Sequence, residues 1–159
     1  MKMLYYTMVQ PYLSYCNIIW GNACQSNLTG LLKLQKRAIR LITRSEYRAH
    51  SSPLFLSQNI LKLSDIYNVQ VLLFMYKCRY NLLPTSRLNL VSLVDADTRY
   101  RFRKPNDFTL IGFKTEWRRK SIAVAGPRLW NTIPIEIKEL YSLSMFKHAI
   151  TSMFIERYV

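Results

Sequence analysis

The sequence predicts a mainly α-helical protein: a small helical bundle, then an irregular segment with short strands, then C-terminal helices. Three observations carry that prediction. Apolar residues recur at spacings of three and four through most of residues 2–80. Half of the 159 residues are hydrophobic, with Gly scarce at 4 and Pro modest at 6, so the chain has core material and is not linker-like. Between about residues 94 and 120 the helical beat gives way to short alternating runs. The length suits one domain or one domain plus a tail. A boundary near residue 93 divides a bundle over 1–93 from a segment over 94–159.

The elements run in order along the chain. Residues 2–20 read as a helix bent or broken near Pro11, with Leu4, Tyr5, Met8, Tyr12, Tyr15 and Ile19 on its apolar beat. Gly21-Asn22 is a stop signal. Asn27 or Thr29 can cap a second helix over residues 28–43. Ser51 or Ser52 before Pro53 starts a short third helix. Ser64-Asp65 cap a strong fourth one, IYNVQVLLFMYKCRY, which is apolar around much of its circumference and so reads as the central core helix. Residues 81–84 end it. In the segment from Arg99 to Lys120, basic residues interleave with Tyr100, Phe102, Phe108, Phe113 and Trp117, which suits phosphate contacts plus base stacking as well as aromatics packed on the bundle. Gly126-Pro127 and Ile133-Pro134 punctuate the C-terminal stretch. Ser142 or Ser144 caps a last helix, apolar at Met145, Phe146, Ala149, Ile150 and Met153.

Charge narrows the function. There are 23 Lys plus Arg against 9 Asp plus Glu, a net +14. Such an excess destabilises a compact monomer unless a polyanion offsets it. Nucleic acid is the first candidate and an anionic membrane surface the second. On the second helix, Leu31, Leu34, Ala38, Leu41 and Ile42 fall on one face at 100° per residue, with Leu32 and Ile39 at its flank. Lys33, Arg37, Arg40 and Arg44 line up opposite, and Lys36 sits beside them. No acid interrupts the stripe, whereas a merely solvated helix usually mixes signs. The stripe repels itself along roughly 16 Å, and an anion lying on it relieves that repulsion. Arg99, Arg101, Arg103, Lys104, Arg118, Arg119 and Lys120 extend the candidate set.

Other chemistry is not expected. Cys16, Cys24 and Cys78 are odd in number and widely spaced, and His50 and His148 stand apart from them, so neither a zinc site nor a disulfide framework is written here. Buried free thiols in a reducing compartment are the expectation. The N-terminus has no secretory pattern, and the longest apolar run, VLLFM at 71–75, is too short to span a membrane, so the reading is a soluble intracellular chain. No phosphate-binding Gly loop, nucleophile elbow or H-E-x-x-H occurs. Asp95 and Asp97 read as turn acids, and His50 as a cap for its neighbouring turn in preference to a phosphate ligand. An autonomous active site, a metal or a cofactor is therefore not expected.

These stretches together carry a resemblance. LYYTMVQPYLSYCNIIWGN at 4–22, LLKLQKRAIRLIT at 31–43, YRAHSSPLF at 47–55, ILKLSDIYNVQ at 60–70, NLLP at 81–84, KSIAVAGPRLWNTIP at 120–134 and SLSMFKHAI at 142–150 cover nearly the whole chain. In this order they resemble the C-terminal part of the polymerase of non-long-terminal-repeat (LINE-type, jockey-like) retrotransposons, and GPRLWNTIP is the most telling. The resemblance implies an RNA-directed DNA polymerase whose thumb, a helical bundle, grips the template-primer duplex. Residues 1 to about 90 are similar to that thumb, and the rest to the tail beyond it. The palm's aromatic-Ala-Asp-Asp metal motif, the fingers and the endonuclease have no counterpart here, so the expectation is binding without catalysis. The expected partners are an RNA–DNA or DNA duplex, bound without sequence preference, and the palm and fingers of a parent polymerase. The rival expectation is a non-functional remnant with only a structural role, in which Tyr5, Tyr12 or Trp20 forms an unmatched apolar patch.

Overall fold

The computed structural model of the chain describes residues 2–84, 91 and 107–158. Among them the chain is mainly helical, as expected, and its only strand-like residue is an isolated bridge at Phe108. Two compact units form. One comprises Met1–Gln70 with His148–Val159, the other Val71–Lys147. The expected strands around Arg99 to Lys104, the Asp95 and Asp97 turn, and the boundary at residue 93 lie outside the described residues.

The first unit opens with α1 (Lys2–Leu4), a π-helical turn (Tyr5–Val9), α2 (Gln10–Ser14) and α3 (Asn17–Trp20). Pro11 does not break this segment. It sits in the first turn of α2, where its missing N–H costs little. The wider turn just upstream accommodates it: the Gln10 N–H donates to the Tyr5 carbonyl, a five-residue step. The break comes later, at Tyr15 (ψ 121°) and Cys16 (φ 48°). Side chains span it, with Asn17 Nδ2 donating to the Leu13 carbonyl (2.6 Å) and Trp20 Nε1 to that of Tyr15 (2.8 Å). Gly21 has an ordinary right-handed φ of −67°; it is glycine for space, because a Cβ there would lie 2.2 Å from Asn17 Oδ1.

The second predicted helix, α4 (Gln25–Thr43), begins three residues earlier than the sequence suggests. Cys24 holds the N-cap position without a side-chain cap bond, and Thr29 bonds back to the Gln25 carbonyl, so neither Asn27 nor Thr29 caps it. α5 (Ser51–Ser57) starts where expected. His50 occupies its N-cap position but is exposed and makes no side-chain cap bond, so its expected capping role is absent. Tyr5, Ile39, Phe55 and Ile60 form one buried cluster, and Leu13, Leu63 and Ile66 a second. Val9 packs against both.

α6 (Leu63–Arg79) is the core helix its composition announces, with Leu63, Ile66, Tyr67, Val69, Val71, Leu72, Met75, Tyr76 and Cys78 all buried. Its start is capped from afar, not by Ser64 or Asp65, which lie inside the first turn. The Leu63 N–H donates to Gln35 Oε1 (2.9 Å), and the Lys62 N–H to the Tyr158 hydroxyl (2.9 Å). That hydroxyl in turn donates to Asp65, while the Lys62 ammonium stacks 4.1 Å from the Tyr158 ring centre. Asn81 ends α6 in the left-handed region (φ 52°), with Leu82 N–H donating to the Lys77 carbonyl (2.9 Å).

The second unit also holds α7 (Glu116–Lys120), α8 (Ile122–Asn131), α9 (Ile135–Lys138) and the start of α10 (Leu143–Glu156). Gly126-Pro127 does not punctuate; both residues sit inside α8. Packing overrides the proline's lost bond: Trp130 is fully buried, with Phe108 and Phe146 rings 5.6 and 5.7 Å away. Gly126 admits Met75, whose Sδ would lie 2.6 Å from any Cβ there. Asn131 clamps Phe108 by its backbone, accepting from the N–H (3.1 Å) and donating to the carbonyl (3.0 Å). Lys138 is buried and paired with Asp107 at 2.7 Å. In α10, Phe146 and Ile150 are buried as expected, but Met145 is exposed. Of the three cysteines, only Cys78 is a buried thiol; Cys16 and Cys24 are exposed.

Candidate nucleic-acid interface

α4 runs for 19 residues without an acidic side chain, from Gln25 until Arg44 turns the chain in the left-handed region (φ 52°). Ser45 N–H then donates to the Arg40 carbonyl (3.0 Å), which closes the last turn. Arg40 and Arg44 sit at the helix C-terminus, where the backbone dipole favours cations.

Lys33, Arg37 and Arg44 are exposed, and Lys36 and Arg40 are half-buried. Arg40 Nε donates to the Ala49 carbonyl (2.9 Å), which ties the 45–50 turn to the helix and orients the rest of the guanidinium. One of its five N–H donors is thereby used. Among the described residues none of the five cations forms an ion pair, in contrast to Arg119, paired with Glu116, and Lys138, paired with Asp107. The stripe therefore offers a row of unneutralised positive charge along one helix.

The other predicted site residues stand elsewhere. Arg118, Arg119 and Lys120 form the last turn of α7, in the second unit, and are helical instead of extended. Thr115 caps that helix by accepting from the Arg118 N–H (3.3 Å). Arg119 is engaged by Glu116 and Arg118 is exposed. Trp117 beside them is 86% exposed, whereas Phe108 is core and Phe113 lies under the Arg128 guanidinium at 4.4 Å. Arg99, Arg101, Arg103 and Lys104 lie outside the described residues. No group of three His, Cys, Asp or Glu able to hold a metal occurs among the described residues, and no described helix is long and apolar enough to cross a membrane.

The apolar side of α4 differs most from its sequence reading. Leu34 and Leu41, predicted on the core face, are 63% and 69% exposed, and Leu31 is at 36%. The buried residues are Gln35 and Ile39, with Leu28, Leu32 and Ile42 half-buried beside them. The apolar arc of α4 runs from Leu41 round to Leu32, about half the circumference at 100° per residue. The unit covers only one half of that arc. Gln35 is buried because all its polar atoms are used: Nε2 donates to the Tyr5 hydroxyl (2.9 Å) and the Leu61 carbonyl (2.8 Å), and Oε1 accepts from Leu63 N–H. Sequence polarity hides such a residue; its only clue was a lone amide amid leucines. Of the residues expected to form an unmatched patch, Tyr12 is exposed at 80%, Tyr5 is fully buried and Trp20 is half-buried.

The chain matches no family model, and comparison with curated proteins and with solved structures finds no similar protein.

Proposed function

We propose that the chain is a non-catalytic nucleic-acid-binding module, similar to the thumb and following region of a non-long-terminal-repeat retrotransposon reverse transcriptase, that holds a template-primer duplex through α4. The observation that carries the reading is the acid-free stripe of Lys33, Lys36, Arg37, Arg40 and Arg44, none of them ion-paired among the described residues. Arg and Lys contacts of this kind position a duplex by its phosphates and read no sequence. The net charge of +14 is consistent with the same partner. The motifs that resemble the polymerase tail name the duplex as template and primer; the stripe itself asks only for closely spaced phosphates.

The test is equilibrium binding of a labelled RNA–DNA duplex over a salt series. Four or five phosphate contacts give a log–log slope of about −3 to −5. The double variant Lys33→Glu/Arg37→Glu lowers affinity at least about tenfold and flattens the slope by about 2. Both side chains are exposed, so its thermal melt stays as in the parent. Unchanged affinity and slope refute the proposal. The exposed Met3, Leu4, Met8, Tyr12, Tyr15 and Ile19 favour a second reading, a purely structural piece that rests on a larger polypeptide. A non-cooperative melt with no salt-dependent binding selects that one.

A further inference from the structure

The exposed apolar residues of α4 are not scattered. Leu31, Leu34 and Leu41, with the half-buried Ala38 between the last two, succeed one another at spacings of three, four and three, the a and d positions of a heptad seam about 15 Å long. Leu34 and Leu41 stand 63% and 69% in water. In that register Gln35 and Ile42 take the e positions and face the unit's own core. Arg37 takes a g position, and Arg44, seven residues on, is the C-cap residue that follows the helix; both are exposed and unpaired among the described residues. The seam thus has one closed edge, made by its own unit, and one open edge lined by arginine. Phosphates bound to the arginines would leave the leucines in water.

We infer that this seam docks an amphipathic helix of another polypeptide segment that carries leucine-like residues on its seam and acids beside it. Charge complementarity selects that occupant. A helix with Glu or Asp seven residues apart meets Arg37 and Arg44 while its apolar residues cover Leu34 and Leu41. A second copy does not fit: α4 contains no acid, so an antiparallel pairing sets arginine against arginine, a parallel one leaves both unpaired, and each copy carries +14. The occupant shares Arg37 and Arg44 with the proposed duplex, so docking and duplex binding compete for those two cations while the leucines belong to docking alone.

The probe is a fluorescein-labelled peptide of about 21 residues, three heptads, with Leu at a and d and Glu at e and g, used below its own self-association and beside a twin with Lys at e and g. The Glu peptide is expected to bind at least about tenfold tighter than the Lys twin. Leu34→Ser/Leu41→Ser is expected to weaken that binding about tenfold while duplex affinity stays as in the parent, which separates this inference from the one on the stripe. Arg37→Glu/Arg44→Glu, with the seam intact, is expected to reverse the preference towards the Lys twin. Equal binding of the two peptides overturns the inference, as does Glu-peptide affinity that survives the serine pair. A dimer dispersed by the serine pair in sedimentation overturns it in favour of a second copy. Flotation with phosphatidylserine vesicles that the same pair abolishes overturns it in favour of a lipid surface.

Discussion

Replacing Gln35 by Leu keeps most of the side chain's volume and removes every polar atom. Three groups then lose their partner at once: the Tyr5 hydroxyl, the Leu61 carbonyl and the Leu63 N–H. Tyr5 is fully buried and Leu63 is 4% exposed, so water cannot simply take over. A buried polar group left unsatisfied costs about 1–3 kcal/mol. The carbonyl is only partly buried and the new leucine gains some apolar burial, so the net loss is set at about 3 kcal/mol. For a chain of this size that corresponds to a melting point lower by about 6–12 °C. Urea unfolding followed by circular dichroism, with a parallel thermal melt, measures it. Combining Gln35→Leu with Tyr5→Phe removes both ends of one bond, and the pair is expected to cost less than the sum of the singles. A loss under about 1 kcal/mol would refute the claim that this amide is what joins α4 to the start of α6.

Two further perturbations concern buried ionisable groups. Burial raises the hydroxyls of Tyr5, Tyr67, Tyr76 and Tyr158 above their ordinary value of about 10, and the bond to the Asp65 carboxylate adds to the rise at Tyr158. The unfolded chain therefore loses these protons first, from about pH 10, while the folded chain keeps them; stability is fully present below that pH and falls above it. Urea midpoints at about pH 8 and about pH 11 check the fall, and Tyr158→Phe is expected to shrink it. Lys138→Met breaks the pair with Asp107 and strands a carboxylate that is 15% exposed, at a cost of about 3 kcal/mol by urea unfolding. The double variant Lys138→Met/Asp107→Leu is expected to recover most of that loss.

Much of the fold was legible because helix formation is local. The three- and four-residue beat announced α4, α6 and α10, and Asn81 marked the end of α6, since each signal is contained within a few turns of chain. The cationic stripe was legible for the same reason: Lys33, Lys36, Arg37 and Arg40 share one side of a helix whatever it packs against, and Arg44 follows at its C-cap. What local pattern cannot encode is which part of a wide apolar arc finds a partner. That choice belongs to Tyr5, Phe55 and Ile60, which meet α4 at Ile39 and leave Leu34 and Leu41 in water. Caps went astray on the same ground, because Gln35 and Tyr158 reach the start of α6 from 28 and 96 residues away. Pro127 survives inside α8 because Trp130 packs with Phe108 and Phe146, and Pro11 because a π-helical turn precedes it. The sequence by itself determined a basic, mainly helical chain with one uninterrupted row of cations. Tertiary structure alone decided which leucines are core and which remain a seam, because burial depends on the neighbours that distant residues supply.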